Sequence, residues 1–138
     1  MAVLPYHAFH PLGVERRRAD TVRLVARHAA RLEEAATMVP DDANRRLRAL
    51  PGVGAWTAAE AALFALGDAD AVSVGDYHLP HHVAWALAGE ARADDARMLE
   101  LLEPYQGQRG RVQRLLEASG VRIPRFGPRM TPHSIATI

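Results

Sequence analysis

The feature that most restricts how this chain folds is a pair of glycines between two helical patterns, in Leu50-Pro51-Gly52-Val53-Gly54-Ala55-Trp56-Thr57-Ala58. Glycines two apart allow a turn too tight for residues with a Cβ and let another backbone come close. Pro51 pre-sets one φ of that turn. The N–H groups of the turn, with those opening the next helix, form a concave anion site that needs no charged side chain. Thr57 falls in the first turn of that helix, where its hydroxyl can reach the same anion. The expected unit is helix, hairpin, helix, with a phosphate grip at its bend. Twenty-two residues past Gly54 stands Asp76, in Val74-Gly75-Asp76-Tyr77-His78-Leu79. It opens a further helical pattern, and a helix N-terminus favours the ionised carboxylate. Capping that helix is the simpler role for Asp76, and it is compatible with a chemical one.

Around the hairpin the apolar spacing is helical. Residues 1 to 13, with Pro5, Pro11 and Gly13, read as an irregular lead-in. From Val14 to about Met38, apolar residues recur at Val22, Val25, Ala29, Leu32 and Ala36, which predicts one amphipathic helix. Pro40-Asp41-Asp42 stops it and caps a short helix through about Arg48. The helix after the hairpin is expected over Ala55 to Leu66, with Trp56, Ala59, Leu63 and Leu66 on one side and Gly67 ending it. Residues 68 to 75 read as an extended loop, and helices are expected at about 78–88, 95–103 and 108–119, the last closed by Gly120. Apolar alternation is too brief anywhere for a sheet, so the chain reads as an all-α helical bundle. Residues 1–120 form the expected core, and 121–138 a tail containing Pro and Arg.

Composition narrows the chemistry. At 138 residues the chain is one domain with room for a core. It has no cysteine, hence neither a disulfide nor a cysteine-held iron–sulfur cluster. Lacking a long apolar run and a signal pattern, it reads as a soluble intracellular protein with no membrane partner. Net charge is only +1, a weak sign of nucleic-acid binding, but all seventeen basic residues are Arg. Without lysine, no side-chain amine can form a Schiff base with a sugar. His78, His81 and His82 have a spacing that places two imidazoles on one helix face, but no third metal ligand accompanies them. They read as surface or DNA-proximal histidines. Arg16 to Arg18 and Arg109, Arg111 and Arg114 read first as solvated faces. Arg45, Arg46 and Arg48, directly before the hairpin, are the better phosphate contacts.

The hairpin string, the segment around Asp76, Pro104-Tyr105, and Leu12-Gly13-Val14-Glu15-Arg16-Arg17-Arg18-Ala19-Asp20 together resemble the helix-hairpin-helix/Gly-Pro-Asp superfamily of DNA glycosylases. Within it they look most like the alkylation-repair branch, DNA-3-methyladenine glycosylase II, over about Leu12 to Gly120. The resemblance implies a helical catalytic domain, probing double-stranded DNA for alkylated purines in base excision repair, in the cytoplasm at a bacterial-type nucleoid. It implies Asp76 as the catalytic carboxylate, and Gly52, Val53, Gly54, Thr57 and Arg48 as DNA contacts. Trp56 matches the slot where bifunctional relatives carry a Schiff-base lysine, so a monofunctional hydrolase using water is expected. Trp56, Tyr77 and Tyr105 would frame the flipped base, although each is also an ordinary packing residue. The chain departs from the family pattern at Gln106, where Arg is usual, and at Glu60, where these enzymes can carry Tyr. No cofactor is required by this reading, but a Na+ or K+ ion at the Leu50 and Val53 main-chain carbonyls is implied. The relatives carry more helices and a β-rich region upstream, so the sequence looks like the C-terminal part of a larger pattern, with the DNA-inserting wedge and possible missing N-terminal segment ahead of it. Two alternatives stand beside the enzyme: a catalytically inactive hairpin-type DNA-binding fragment, and a subunit completed by a separately encoded half.

Overall fold

A computed structural model describes residues 2–122 of the chain. The expected tail therefore falls almost wholly outside the described residues. Within them every regular element is helical and no strand occurs, in agreement with the all-α expectation.

The lead-in is more ordered than its prolines suggest. Two short 3₁₀ turns, Tyr6–Ala8 and His10–Leu12, follow Pro5 and contain Pro11, and Gly13 closes the second at φ +72°. Proline fixes φ in the range these turns use. Phe9 is buried between them, and the Arg16 guanidinium lies 5.5 Å from the centre of the Tyr6 ring.

The single helix expected over 14–38 is three pieces: α1 (Arg16–Arg27), α2 (Ala29–Glu33) and a 3₁₀ turn over Glu34–Thr37. The break is at His28, whose N–H is shared between the carbonyls of Leu24 at 3.2 Å and Val25 at 3.0 Å. Such sharing tightens the last turn of a helix. Ala19 and Ala35 are the buried residues of these pieces, whereas Val22 and Ala36, placed by periodicity on the inner face, are exposed.

α3 (Pro40–Arg48) has proline at its first position, Asp41 and Asp42 in its first turn and three arginines in its last. Both charge placements suit the helix dipole. Neither aspartate caps it; Val39 holds the capping position without a side-chain bond, which corrects the expected role of these two residues. Arg46 fastens α3 to the preceding segment, donating to the Arg31 carbonyl at 2.8 Å and pairing with Glu34. After the hairpin, α4 (Ala55–Ala61) continues into a wider π-type turn over Ala62–Leu66, ended by Gly67 at φ +73°. The buried face is Ala58, Ala59 and Ala62, one step round from the face expected, and Trp56 lies outside it.

The rest is a three-helix unit. α5 (Leu79–Ala88), α6 (Asp95–Leu102) and α7 (Arg109–Ala118) enclose Leu79, Val83, Met98 and Leu102. Val72 and Val74 of the connecting loop pack on that core. Asp94 caps α6, accepting from the Arg97 N–H at 2.9 Å.

The connecting loop has no ladder of its own and is held by side chains. Asp70 accepts from the backbone N–H groups of Gly107 at 2.8 Å and Arg109 at 3.0 Å, and its carboxylate pairs with the Arg109 guanidinium. Ser73, buried, donates its N–H to Gln113 Oε1 at 3.1 Å and its hydroxyl to Glu60. Gly110 lets α7 come against this loop: a Cβ there would overlap the Ala71 carbonyl oxygen.

Two outcomes follow. Gly110→Ala should cost about 1–3 kcal/mol by overpacking, read as a lower urea midpoint with unchanged helix content. The Arg109 guanidinium, then the Arg109 and Gly107 N–H groups, hold the Asp70 carboxyl below its ordinary pKa. A depressed folded-state pKa gives stability that is complete above the unfolded value, about 3.9, and is lost as pH falls below it. Asp70→Asn should therefore cost about 1–3 kcal/mol at pH 7 and flatten the acid limb of the urea midpoint plotted against pH.

Candidate functional site

The hairpin forms as a hydrogen-bonded turn, Val53 N–H donating to the Leu50 carbonyl at 3.0 Å. Gly52 takes φ +90°, where residues with a side chain are strained. A Cβ on it would also overlap the Thr21 hydroxyl of α1, so this glycine seats the hairpin against α1. Gly54 differs. Its φ of −87° and ψ of −176° suit any residue, and a Cβ built on it meets nothing within 4 Å. The expectation that both glycines serve the turn is therefore corrected: intramolecular geometry requires Gly52 alone.

The N–H groups of Gly52, Gly54, Ala55, Trp56 and Thr57 meet no acceptor among the described residues, and all five residues are exposed. They open a continuous helical run from Ala55 to Leu66. Unsatisfied amides at a helix start attract anions. The Thr57 hydroxyl is exposed on the same turn. Of the two carbonyls named for a monovalent cation, Leu50 already accepts the Val53 N–H and keeps one lone pair, while Val53 accepts from no described residue.

The basic residues sort differently from their expected order. Arg45 makes an exposed pair with Asp42, while Arg46 is mostly buried in its pair with Glu34. Arg109 is committed to Asp70, while Arg114 pairs with Glu117 at 2.6 Å and lies 4.7 Å from the Phe64 ring centre. Arg48 is exposed at the end of α3 with no carboxylate in ion-pair range among the described residues. A groove of about 680 Å³ runs between α1 and the hairpin, lined by Arg16, Arg17, Thr21, Arg27, Pro51 and Gly52 among others. Sequence reading missed it, because its two walls are some thirty residues apart in the chain.

Asp76 serves the turn leading into α5 and not the capping position, which His78 holds. Its Oδ1 accepts from the His78 N–H at 2.7 Å and the Leu79 N–H at 2.8 Å. Its Oδ2 has no partner among the described residues, and the residue is half-buried. The neighbouring Gly75 N–H donates to Asp95 Oδ2 at 3.0 Å, tying the Asp76 turn to α6. Through Ser73 and Glu60 the same loop is tied to α4. Glu60, a departure from the family pattern, thus joins the hairpin helix to the segment carrying Asp76.

The aromatics are not in the core. Trp56 is 44 % exposed, Tyr105 40 % and Tyr77 80 %. This corrects the packing roles given as alternatives for Trp56 and Tyr77. Tyr77 lies edge-on to His78 at 4.9 Å and to His81 at 6.2 Å, and no ring contact joins Tyr77, Trp56 and Tyr105 among the described residues. Neither the groove nor a smaller cavity of about 130 Å³ beside Ala35 and Leu66 is lined by Asp76 or these aromatics. Of the histidines, His81 Nδ1 accepts the Ala93 N–H at 3.1 Å, and the described residues hold no cluster of three or more His, Cys, Asp or Glu placed for a metal. No helix among them is long and apolar enough to cross a membrane.

Comparison of the chain with protein-family models, with characterised proteins and with solved structures gave no match.

Because Asp76 accepts two N–H groups in the turn leading into α5, Asp76→Ala should lower stability by about 1 kcal/mol. Asp76→Asn keeps an oxygen that accepts both N–H groups and should cost only a few tenths of that; urea unfolding of the two variants checks the difference.

Proposed function

We propose that this chain is the helical core of a monofunctional DNA glycosylase that releases alkylated purines of the 3-methyladenine type from double-stranded DNA. The observation that carries the reading is the division of labour within Asp76. One oxygen is fixed by two backbone N–H groups while the other is unpartnered, on a loop tied by Glu60 to the helix that opens with the hairpin's free amides.

The chemistry follows from that arrangement. As the glycosidic bond lengthens, positive charge builds on C1′ and the ring oxygen of the sugar. A carboxylate about 4 Å from that charge stabilises it by about 4 kcal/mol at an effective dielectric of about 20. That corresponds to roughly a thousandfold in rate. Anchoring Oδ1 leaves Oδ2 to face the cation or to orient the attacking water, without reorganisation during the reaction. A purine already positive from N3 or N7 methylation leaves readily, so no strong general acid is needed. The hairpin amides, Thr57 and Arg48 would hold a phosphate of the strand, and a Na+ or K+ ion on the Leu50 and Val53 carbonyls would add positive charge beside it. Trp56, Tyr77 and Tyr105 present exposed ring faces, and an electron-rich face attracts a cationic base. This function places the protein at the nucleoid, in the cytoplasm.

A DNA-binding module without catalysis is the second reading. It is favoured by one observation: Asp76 and the three aromatics border neither described cavity.

Release of methylated purine from treated duplex DNA separates the two. The enzyme predicts release by the intact chain and a loss of roughly a thousandfold in Asp76→Asn, with duplex affinity retained. Binding without release by the intact protein leaves only the second reading. Equal release by both proteins removes Asp76 from its role.

A further inference from the structure

The groove between α1 and the hairpin carries positive charge that nothing within the chain uses. Its one lining carboxylate, Asp20, is engaged on both sides, by Arg23 at 3.2 Å and Arg16 at 3.9 Å. Arg17 and Arg27 are exposed, and neither has a carboxylate in ion-pair range among the described residues. They lie ten residues apart on α1, which is about 15 Å along a helix axis. Between them lie the Thr21 side chain and the half-buried Leu24, and opposite are Pro51 and Gly52 of the hairpin. The Gly52–Thr21 approach makes this a fixed joint, with one wall being the hairpin itself.

We propose that this groove is a second DNA-backbone contact, continuous with the hairpin, in which Arg17 and Arg27 each neutralise one phosphate of the bound strand. The proposal rests on the DNA reading above and extends it to residues outside the hairpin. The geometry favours a linear polyanion over a single small anion. Two arginines whose backbone positions lie about 15 Å apart along the helix axis suit successive charges on one chain, and a strand carries a phosphate at every nucleotide. Leu24 and Pro51 offer apolar surface for the sugars between the phosphates. The contact carries no sequence information, as expected of phosphate rather than base-edge recognition. Arg109, three-quarters buried against Asp70, is held away from the same task, whereas Arg17 and Arg27 have no carboxylate to give up among the described residues.

The test is the salt dependence of duplex binding by the full chain, read by fluorescence anisotropy. Each phosphate contact contributes about 0.9 to the slope of log K against log salt concentration. Arg17→Ala and Arg27→Ala should each lower the slope by about that amount, and the double variant by about twice it. Arg111→Ala, which removes the same charge from an exposed position on α7, should leave the slope unchanged. Where base release is measured, the double variant should need more DNA for half-maximal rate while its limiting rate stays that of the parent. An unchanged slope in the double variant, with the parent binding normally, overturns the groove and leaves the glycosylase reading standing. An equal loss in Arg111→Ala also overturns it, because the effect would then be one of net charge. A parent protein that binds no duplex at all overturns both.

Discussion

The carboxylate of Asp70 is the fixed point of this molecule. It meets two backbone N–H groups and a guanidinium at the start of α7, with both side chains of the pair about three-quarters buried. Charge-assisted bonds of this kind are stronger than neutral ones, and partial burial weakens the competition from water. Their structural effect exceeds their local energy because the loop between Gly67 and His78 has no helical or sheet ladder to define its path. Its backbone is placed instead by Asp70, by the Gly110 approach, and by buried Ser73 on Gln113. An open loop at that point would leave the α3–α4 hairpin and the α5–α7 unit joined only weakly. With the loop pinned, Val72 and Val74 are delivered onto the core of the three-helix unit.

Local order and function are linked through the same loop. Asp76 is reached three residues after Ser73, and its turn is bonded to α5 by two N–H groups and to α6 through Asp95. A catalytic charge acts best when its position is settled before the substrate arrives, since moving it during reaction would cost part of the stabilisation it gives. On the proposed reading the loop supplies that pre-organisation. The hairpin is fixed independently by Gly52 against Thr21. The grip and the carboxylate thus stand on different supports, related through the bonds of Glu60 to Ser73 and of the Asp68 N–H to the Ala62 carbonyl.

Much of this fold was legible from local signals. The order of helices, the stop at Gly67, the start at Pro40 and the close at Gly120 all follow from backbone preferences that act within a few residues. What escaped was non-local. The arginine runs read as solvated faces, yet Arg46 and Arg109 reach partners twelve and thirty-nine residues away. Apolar spacing does not distinguish a continuous helix from one broken at His28, because a 3₁₀ turn disturbs the phase by only a fraction of a turn. The one available hint was Gly110 inside a helical pattern, where glycine costs about 1 kcal/mol relative to alanine and so signals a close approach. At the site, the hairpin was readable from spacing, and so was a local backbone role for Asp76, although its bonds fall in the turn before α5 and not at the capping position. The groove and the Glu60 link were not, since they arise where distant segments meet.

The residues left unexplained by internal packing are informative for that reason. Gly54 has neither the φ nor the crowding that demands glycine, and Trp56, two residues on, leaves much of an indole in water. Burying a large aromatic is among the most favourable things a helix can do, yet the face next to it, Ala58, Ala59 and Ala62, is what this helix buries. On the proposed reading, an open glycine, five amides without a partner among the described residues and an exposed ring within six residues serve one purpose: a rigid, negatively charged backbone comes close while a planar group is met beside it. Each exposed ring is apolar surface left in water that contact with such a partner would remove. A damaged nucleotide, with its phosphate on the turn and its base on an aromatic face, combines both halves of that purpose in one ligand.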